Sequence, residues 1–202
     1  YERRSESKNT LFIGGVPPSR VRNGSPRAET TVLQMPSGPA LRLDASKAFW
    51  LGRGNPKFVA RLFVVIDDKA LLVVDRVLGR AGNPVEARAF TTKNATFGET
   101  DVLLKGEFET ARMTFAADVP AVLRRATAIL TDGKREPPVM MRWITREKEK
   151  DVTLATLLSR GDAPVALDVQ SDEETIVVTA KGEDWNETIR LTPRLEPLDN
   201  AK

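Results

Sequence analysis

The sequence contains no histidine and no cysteine, and its single tyrosine is Tyr1. Those two absences exclude a Ser-His-Asp triad, a cysteine nucleophile, a zinc site of His and Cys ligands, and any disulfide. No run approaches the ~18 apolar residues of a membrane-spanning helix, and no basic-then-apolar leader opens the chain, so no membrane partner is expected. The chain begins at Tyr1 rather than Met, as a fragment or a processed form would. What is present is ordinary: 202 residues, 41% hydrophobic and 29% charged, enough for one sizeable core. Collagen, coiled coil and wholesale disorder are excluded.

The charge is small but uneven. Thirty-one Lys and Arg against 28 Asp and Glu give +3, yet residues 1–60 carry ten basic residues against four acids. A basic end suits an anionic partner such as an acidic polysaccharide, although scattered basic residues are also what a solvated surface displays. No recognised binding motif accompanies the charge, so nucleic acid is not an expected partner.

Short apolar runs rich in Val, Ile, Leu, Thr and Phe recur every ~8–12 residues with turn signals between them, the pattern of an antiparallel sandwich. The best stretch is Phe58 to Leu78. Its two runs, Phe58 to Ile66 and Ala70 to Leu78, flank the polar turn Asp67-Asp68-Lys69 and form a hairpin. Both runs are apolar at nearly every position, which places them centrally in a sheet covered on both faces.

The same grammar predicts strands at Asn9–Ile13, Thr30–Met35, Ala40–Ala45, Lys47–Leu51, Val85–Thr91, Asp101–Lys105 and Phe108–Ala116. It continues through Val122–Leu130, Val139–Arg146, Val152–Leu158, Val165–Val169, Thr175–Ala180 and Trp185–Leu191. Val119–Ile129 also fits a short helix. Lys93–Thr100 reads as a turn. A basic loop over residues 14–28 carries Arg20, Arg22 and Arg27 among prolines and glycines, and it exceeds the usual connection length. The expected organisation is one all-β domain, a large antiparallel β-sandwich over residues 1–192, with a polar tail over 193–202 that frays.

Few residues suggest chemistry by themselves. Gly14-Gly15 follows a strand, but Pro17-Pro18 replaces a helix start, so a plain turn is the better reading than a phosphate cradle. Asp67-Asp68 and Asp172-Glu173-Glu174 lack the calcium-loop pattern and read as turn residues. Asp75-Arg76, late in an apolar strand, reads as a structural salt link, because an unpaired buried carboxylate is costly. Phe49, Trp50, Phe58, Trp143 and Trp185 at strand positions read as core rather than as a sugar platform. No metal site and no cofactor are expected.

Tyr1 to Gly15, with Arg4-Ser5, Lys8-Asn9-Thr10, apolar Leu11-Phe12-Ile13 and then glycine, resembles the segment that opens the β-sandwich region of the heparinase II/III-like polysaccharide lyases. Lys57 to Gly79 is similar to a hairpin of that family, and the likeness continues more loosely through Arg142 to Leu158 and the closing strands. The resemblance implies a supersandwich-like C-terminal half of a two-part enzyme, secreted or periplasmic, whose helical toroid supplies much of the cleft. The implied chemistry is β-elimination on a uronic-acid polymer: a neutralised carboxylate acidifies the C5 proton, a base removes it, and the C4 oxygen leaves.

On that resemblance Asn9 stands beside the cleft, and Lys8 stands where the family has His. A lysine, with an ordinary pKa of ~10.4, is a poor base unless desolvated but can hold a carboxylate. Lys8 and Asn9, with Arg20 and Arg22 of the basic loop, are therefore the candidate substrate-binding residues, and no catalytic residue is assigned. The toroid is absent from these residues, so the chain alone is expected to be inactive. The alternative is a non-catalytic module binding an acidic glycan or a partner domain.

Overall fold

In the computed structural model the described residues are 10–18, 28–49, 56–79, 83–91, 94–127, 137–146 and 150–198. They form strands β1 (Leu11–Ile13), β2 (Glu29–Met35), β3 (Gly38–Asp44), β4 (Phe58–Ile66), β5 (Ala70–Leu78), β6 (Val85–Thr91), β7 (Asn94–Phe97) and β8 (Asp101–Lys105). Seven more follow: β9 (Thr110–Ala117), β10 (Ala121–Thr127), β11 (Val139–Thr145), β12 (Val152–Arg160), β13 (Ala166–Ser171), β14 (Ile176–Lys181) and β15 (Asn186–Leu191). Every pairing between strands is antiparallel.

A large eight-stranded sheet, in the order β2-β3-β4-β5-β12-β9-β8-β7, is covered on one face by a three-stranded sheet, β13-β14-β15. A four-stranded cover sheet, β1-β6-β11-β10, packs on the other face. The fold is an all-β sandwich. Strand alternation dictates the layers, since successive side chains point to opposite faces. Ala60, Leu62, Val64, Leu72 and Val74 face Ile176, Val178, Ala180 and Leu191 of the C-terminal sheet. Val59, Val77, Val152, Leu154 and Phe115 face Leu11, Ile13, Val85, Met141 and Trp143 of the cover sheet. Each fully buried Leu, Val or Ile contributes ~1.5–3 kcal/mol of burial free energy, so these two cores hold the layers together. Trp143 adds a tether: its indole N–H donates to the Ala116 carbonyl at 3.1 Å, and its ring lies 5.8 Å from that of Phe115.

The predicted hairpin is present with the expected limits, β4 and β5, and lies centrally between β3 and β12. Asp67 turns at φ 44° and the Lys69 N–H closes on the Ile66 carbonyl at 3.0 Å. Four expectations need correction. Where the strand expected at Lys47–Leu51 should begin there is instead a 3-10 turn, Ser46–Ala48, and residues 50 and 51 lie outside the described residues. Asp44 Oδ1 accepts from both the Ser46 N–H (2.9 Å) and its hydroxyl (2.6 Å), and Ser46 Oγ accepts from the Val59 N–H at 2.9 Å, which diverts the backbone from a ladder.

The helix alternative at Val119–Ile129 gives way to β10, which pairs with β11 along its whole length. The segment read as a turn at Lys93–Thr100 contains β7, an edge strand bonded only to β8. The tail expected to fray from Pro193 is docked as far as Leu198. Leu195 is fully buried, Pro197 bridges Leu191, and Arg42 pairs with Glu196 at 2.7 Å.

Candidate functional site

The four residues singled out from the sequence, Lys8, Asn9, Arg20 and Arg22, lie outside the described residues, as does Trp50. The segments that lead into them are fixed by the cover sheet. The Thr10 carbonyl accepts from the Arg88 N–H at 3.0 Å, and β1 then pairs with β6 through Leu11↔Ala87, Phe12↔Glu86 and Ile13↔Val85. The chain turns at Gly14 and Gly15 (φ 59° and 76°), closed by reciprocal bonds between Ile13 and Val16 at 3.0 Å. Positive φ explains both glycines, and the plain-turn reading holds.

Beside Thr10 the outward face of the cover sheet carries a charged cluster. Glu86 and Arg88 are two residues apart on β6 and so share a face. Arg142 on β11 pairs in register with Arg88, and Arg124 on β10 with Arg142. The Glu86 carboxylate, almost fully buried, accepts a bidentate pair from Arg142 (Nε–Oε1 2.6 Å, Nη2–Oε2 2.7 Å) and a further bond from Arg88 Nε. The Arg88 guanidinium also lies over the Phe12 ring, 3.4 Å from its centroid. Burial alone would raise the Glu86 pKa, but hydrogen bonds and charge from Arg142 and Arg88 outweigh it and hold the carboxylate below its usual range. The hydrogen bond to Glu86 in turn raises the Arg142 pKa. These residues are scattered along the chain, and sequence reasoning missed them. The one local signal was Glu86-Ala87-Arg88, a carboxylate and a guanidinium on one face of an apolar strand.

The other charged groups serve the frame. Asp75, 2% exposed, accepts a bidentate pair from Arg61 across the hairpin (2.6 and 2.8 Å). Burial opposes the Arg61 charge, but Asp75 outweighs it and raises the Arg61 pKa. On the opposite face Arg76 donates to Thr153 Oγ1 at 2.6 Å and to Asp118 at 3.2 Å, with burial pushing the Arg76 pKa down. Asp118 also accepts from the Thr153 N–H at 2.8 Å and from the Ser171 hydroxyl, tying β12 to β13. The reading of Asp75-Arg76 as structural holds. Asp172 caps its own turn by accepting from the Glu174 and Thr175 N–H groups (2.8 and 2.7 Å), which lower its pKa. Phe49, Phe58 and Trp143 are buried, and Trp185 packs on the core.

Where the large and cover sheets diverge they leave a cleft of about 290 Å³, lined by Phe63, Val73, Met113 and Phe115 on one side and by Ala87 and Ala89 on the other. Its lining includes Arg61 and, from β6, Arg88, but no carboxylate, so it offers no acid–base pair. Among the described residues no group of three or more acidic side chains is gathered to hold a metal ion, and no helix is long and apolar enough to cross a membrane.

No protein-family profile and no curated protein matches the sequence. Solved structures do. The chain matches a heparinase III at TM-score 0.73 with 11% identity, over 95% of this chain and 31% of that one. A second heparinase III matches at 0.71 and 12%, over 91% and 29%. The heparan sulfate lyase HepC from Pedobacter heparinus matches at 0.71 and 11%, over 97% and 32%. The chain therefore spans about a third of the length of these proteins, and at such identities the likeness establishes architecture. Nearly all of this chain has the all-β sandwich fold that makes up about a third of each heparinase III and heparan sulfate lyase chain matched.

Proposed function

We propose that this chain is the sandwich portion of a heparinase II/III-like polysaccharide lyase acting by β-elimination on a uronic-acid-containing polysaccharide. The observation that carries the reading is the alignment of 95% of the chain with a heparinase III at TM-score 0.73. The matches to a second heparinase III and to HepC, each over more than nine tenths of this chain, support it.

On this reading Asn9 and Lys8 neutralise or hold the uronate carboxylate, Arg20 and Arg22 contact the polymer, and a helical toroid of the parent chain supplies the base. The compartment follows from the substrate: periplasmic or secreted. The experiment is a lyase assay of the parent protein on a panel of uronate polymers, beside the isolated 202-residue chain and Asn9→Ala in the parent. Unsaturated products from the parent alone, slowed roughly a hundredfold by Asn9→Ala, support the reading. A parent inert on every uronate polymer overturns it. The second reading, a non-catalytic glycan-binding module, predicts salt-sensitive retention on an acidic polysaccharide with no rise in ultraviolet absorbance.

A further inference from the structure

We infer that the outward face of the cover sheet is a second, non-catalytic subsite for an acidic polysaccharide, built by Arg88, Arg142 and Arg124 and organised by Glu86. The outward face of strands β1, β6, β11 and β10 carries three arginines, Arg88, Arg142 and Arg124, against the single carboxylate of Glu86. Strand register, not sequence proximity, gathers them: Arg88, Arg142 and Arg124 lie in one row across three neighbouring strands. Neighbouring strands stand ~4.8 Å apart, so the row spans ~10 Å, a spacing that can engage successive anionic groups of one chain.

Glu86 sets the geometry. Its single carboxylate engages Nε and Nη2 of Arg142 and Nε of Arg88, which fixes both guanidiniums while leaving the row with a net positive charge. Arg124 is exposed, and no described carboxylate pairs with it. Guanidiniums fixed in this way bind sulfate or carboxylate oxygens with less ordering cost than mobile side chains. Phe12, held under Arg88, supports the row from below.

The choice of ligand rests on the proposed acidic-glycan reading, but the site itself is read from register and charge. The test is binding of the 202-residue chain to heparin, alginate, neutral dextran and duplex DNA across a salt series, comparing Arg124→Gln, Arg142→Gln and Arg125→Gln. Arg125 is the control. It adjoins Arg124 on β10 and removes the same charge, but it points to the inner face, with its guanidinium 5.9 Å from the Phe97 ring centroid. Losing one charge-assisted contact should weaken heparin or alginate binding about tenfold for Arg124→Gln and for Arg142→Gln, with less than about threefold for Arg125→Gln. Arg124→Gln leaves no buried partner exposed, so its result stands even if Arg142→Gln unfolds the chain.

Equal losses for Arg124→Gln and Arg125→Gln would mean that net charge alone matters and would overturn the inference. So would tighter binding to DNA than to either polysaccharide, or undiminished binding in Arg124→Gln. If Arg124→Gln weakens glycan binding while the parent is inert as a lyase, the subsite survives and only the catalytic reading falls. An active parent whose isolated chain ignores both acidic polymers gives the reverse.

Discussion

The Arg61–Asp75 pair offers the sharpest check on how the hairpin is stabilised. The two residues sit directly opposite each other on β4 and β5, and the side chains are 16% and 2% exposed. Asp75→Asn keeps the shape but removes the negative charge that faces Arg61 inside the sandwich. Breaking one side of such a buried pair costs ~3–5 kcal/mol, because the bidentate support that helps offset the desolvation of the remaining charge is lost. For a chain of this size each kcal/mol moves the Tm by ~2–4 °C, so Asp75→Asn should lower it by about 6–20 °C. Arg61→Met should cost a similar amount, and the double replacement Arg61→Met with Asp75→Leu should cost less than either single change. Thermal unfolding by circular dichroism reads all of these. A Tm for Asp75→Asn within about 2 °C of the unmodified chain would refute the reasoning.

Three further outcomes follow from the same geometry. Leu195, fully buried at φ 57°, docks the C-terminal segment; Leu195→Ala should lose ~2–4 kcal/mol in urea unfolding, and a loss below ~1 kcal/mol would mean the segment is not seated there. Glu86 is held below the usual carboxylate range by Arg142 and Arg88 in spite of burial, so its contribution is complete above the unfolded value of ~4.3 and lost as the pH falls through the lower folded value. The stability gap between the unmodified chain and Glu86→Gln should therefore narrow on acidification, and a gap unchanged down to about pH 2 would contradict this. Gly79 has φ 73° and its N–H donates to Asp151 at 2.7 Å; Gly79→Ala should cost ~1–2 kcal/mol, mainly in backbone strain, because the Lys57 side chain beside it can move.

The hairpin was legible because two long apolar runs and a three-residue acidic turn leave few alternatives, and its central place followed from the absence of a polar face. Where the sequence misled, local interactions or the sheet edge explain the miss. Asn94-Ala95-Thr96-Phe97 reads as a turn because an edge strand bonded on one side needs little apolar patterning. Lys47 to Phe49 looks extended until, just ahead of it, Asp44 captures the Ser46 N–H and the Ser46 hydroxyl oxygen captures the Val59 N–H. The tail read as polar, but one leucine and one ion pair suffice to dock it. The cluster around Glu86 was hidden for a different reason: residues 86, 124 and 142 become neighbours only through strand register, which composition and spacing do not encode.

The place of β12 has a consequence for how the molecule is made. β12 separates β5 from β9, with Leu154 opposite Asp75 on one side and Ala117 on the other. During synthesis from the N-terminus the β4–β5 hairpin must therefore wait, with the backbone edge of β5 unpaired, until a strand from far downstream arrives to close the sheet. Such non-local closure is slow, in the range of ~ms to s for β-rich chains, and it exposes nascent molecules to edge-to-edge association. Ribosome-bound intermediates ending before Val152 should accordingly depend on chaperones far more than those ending after Arg160.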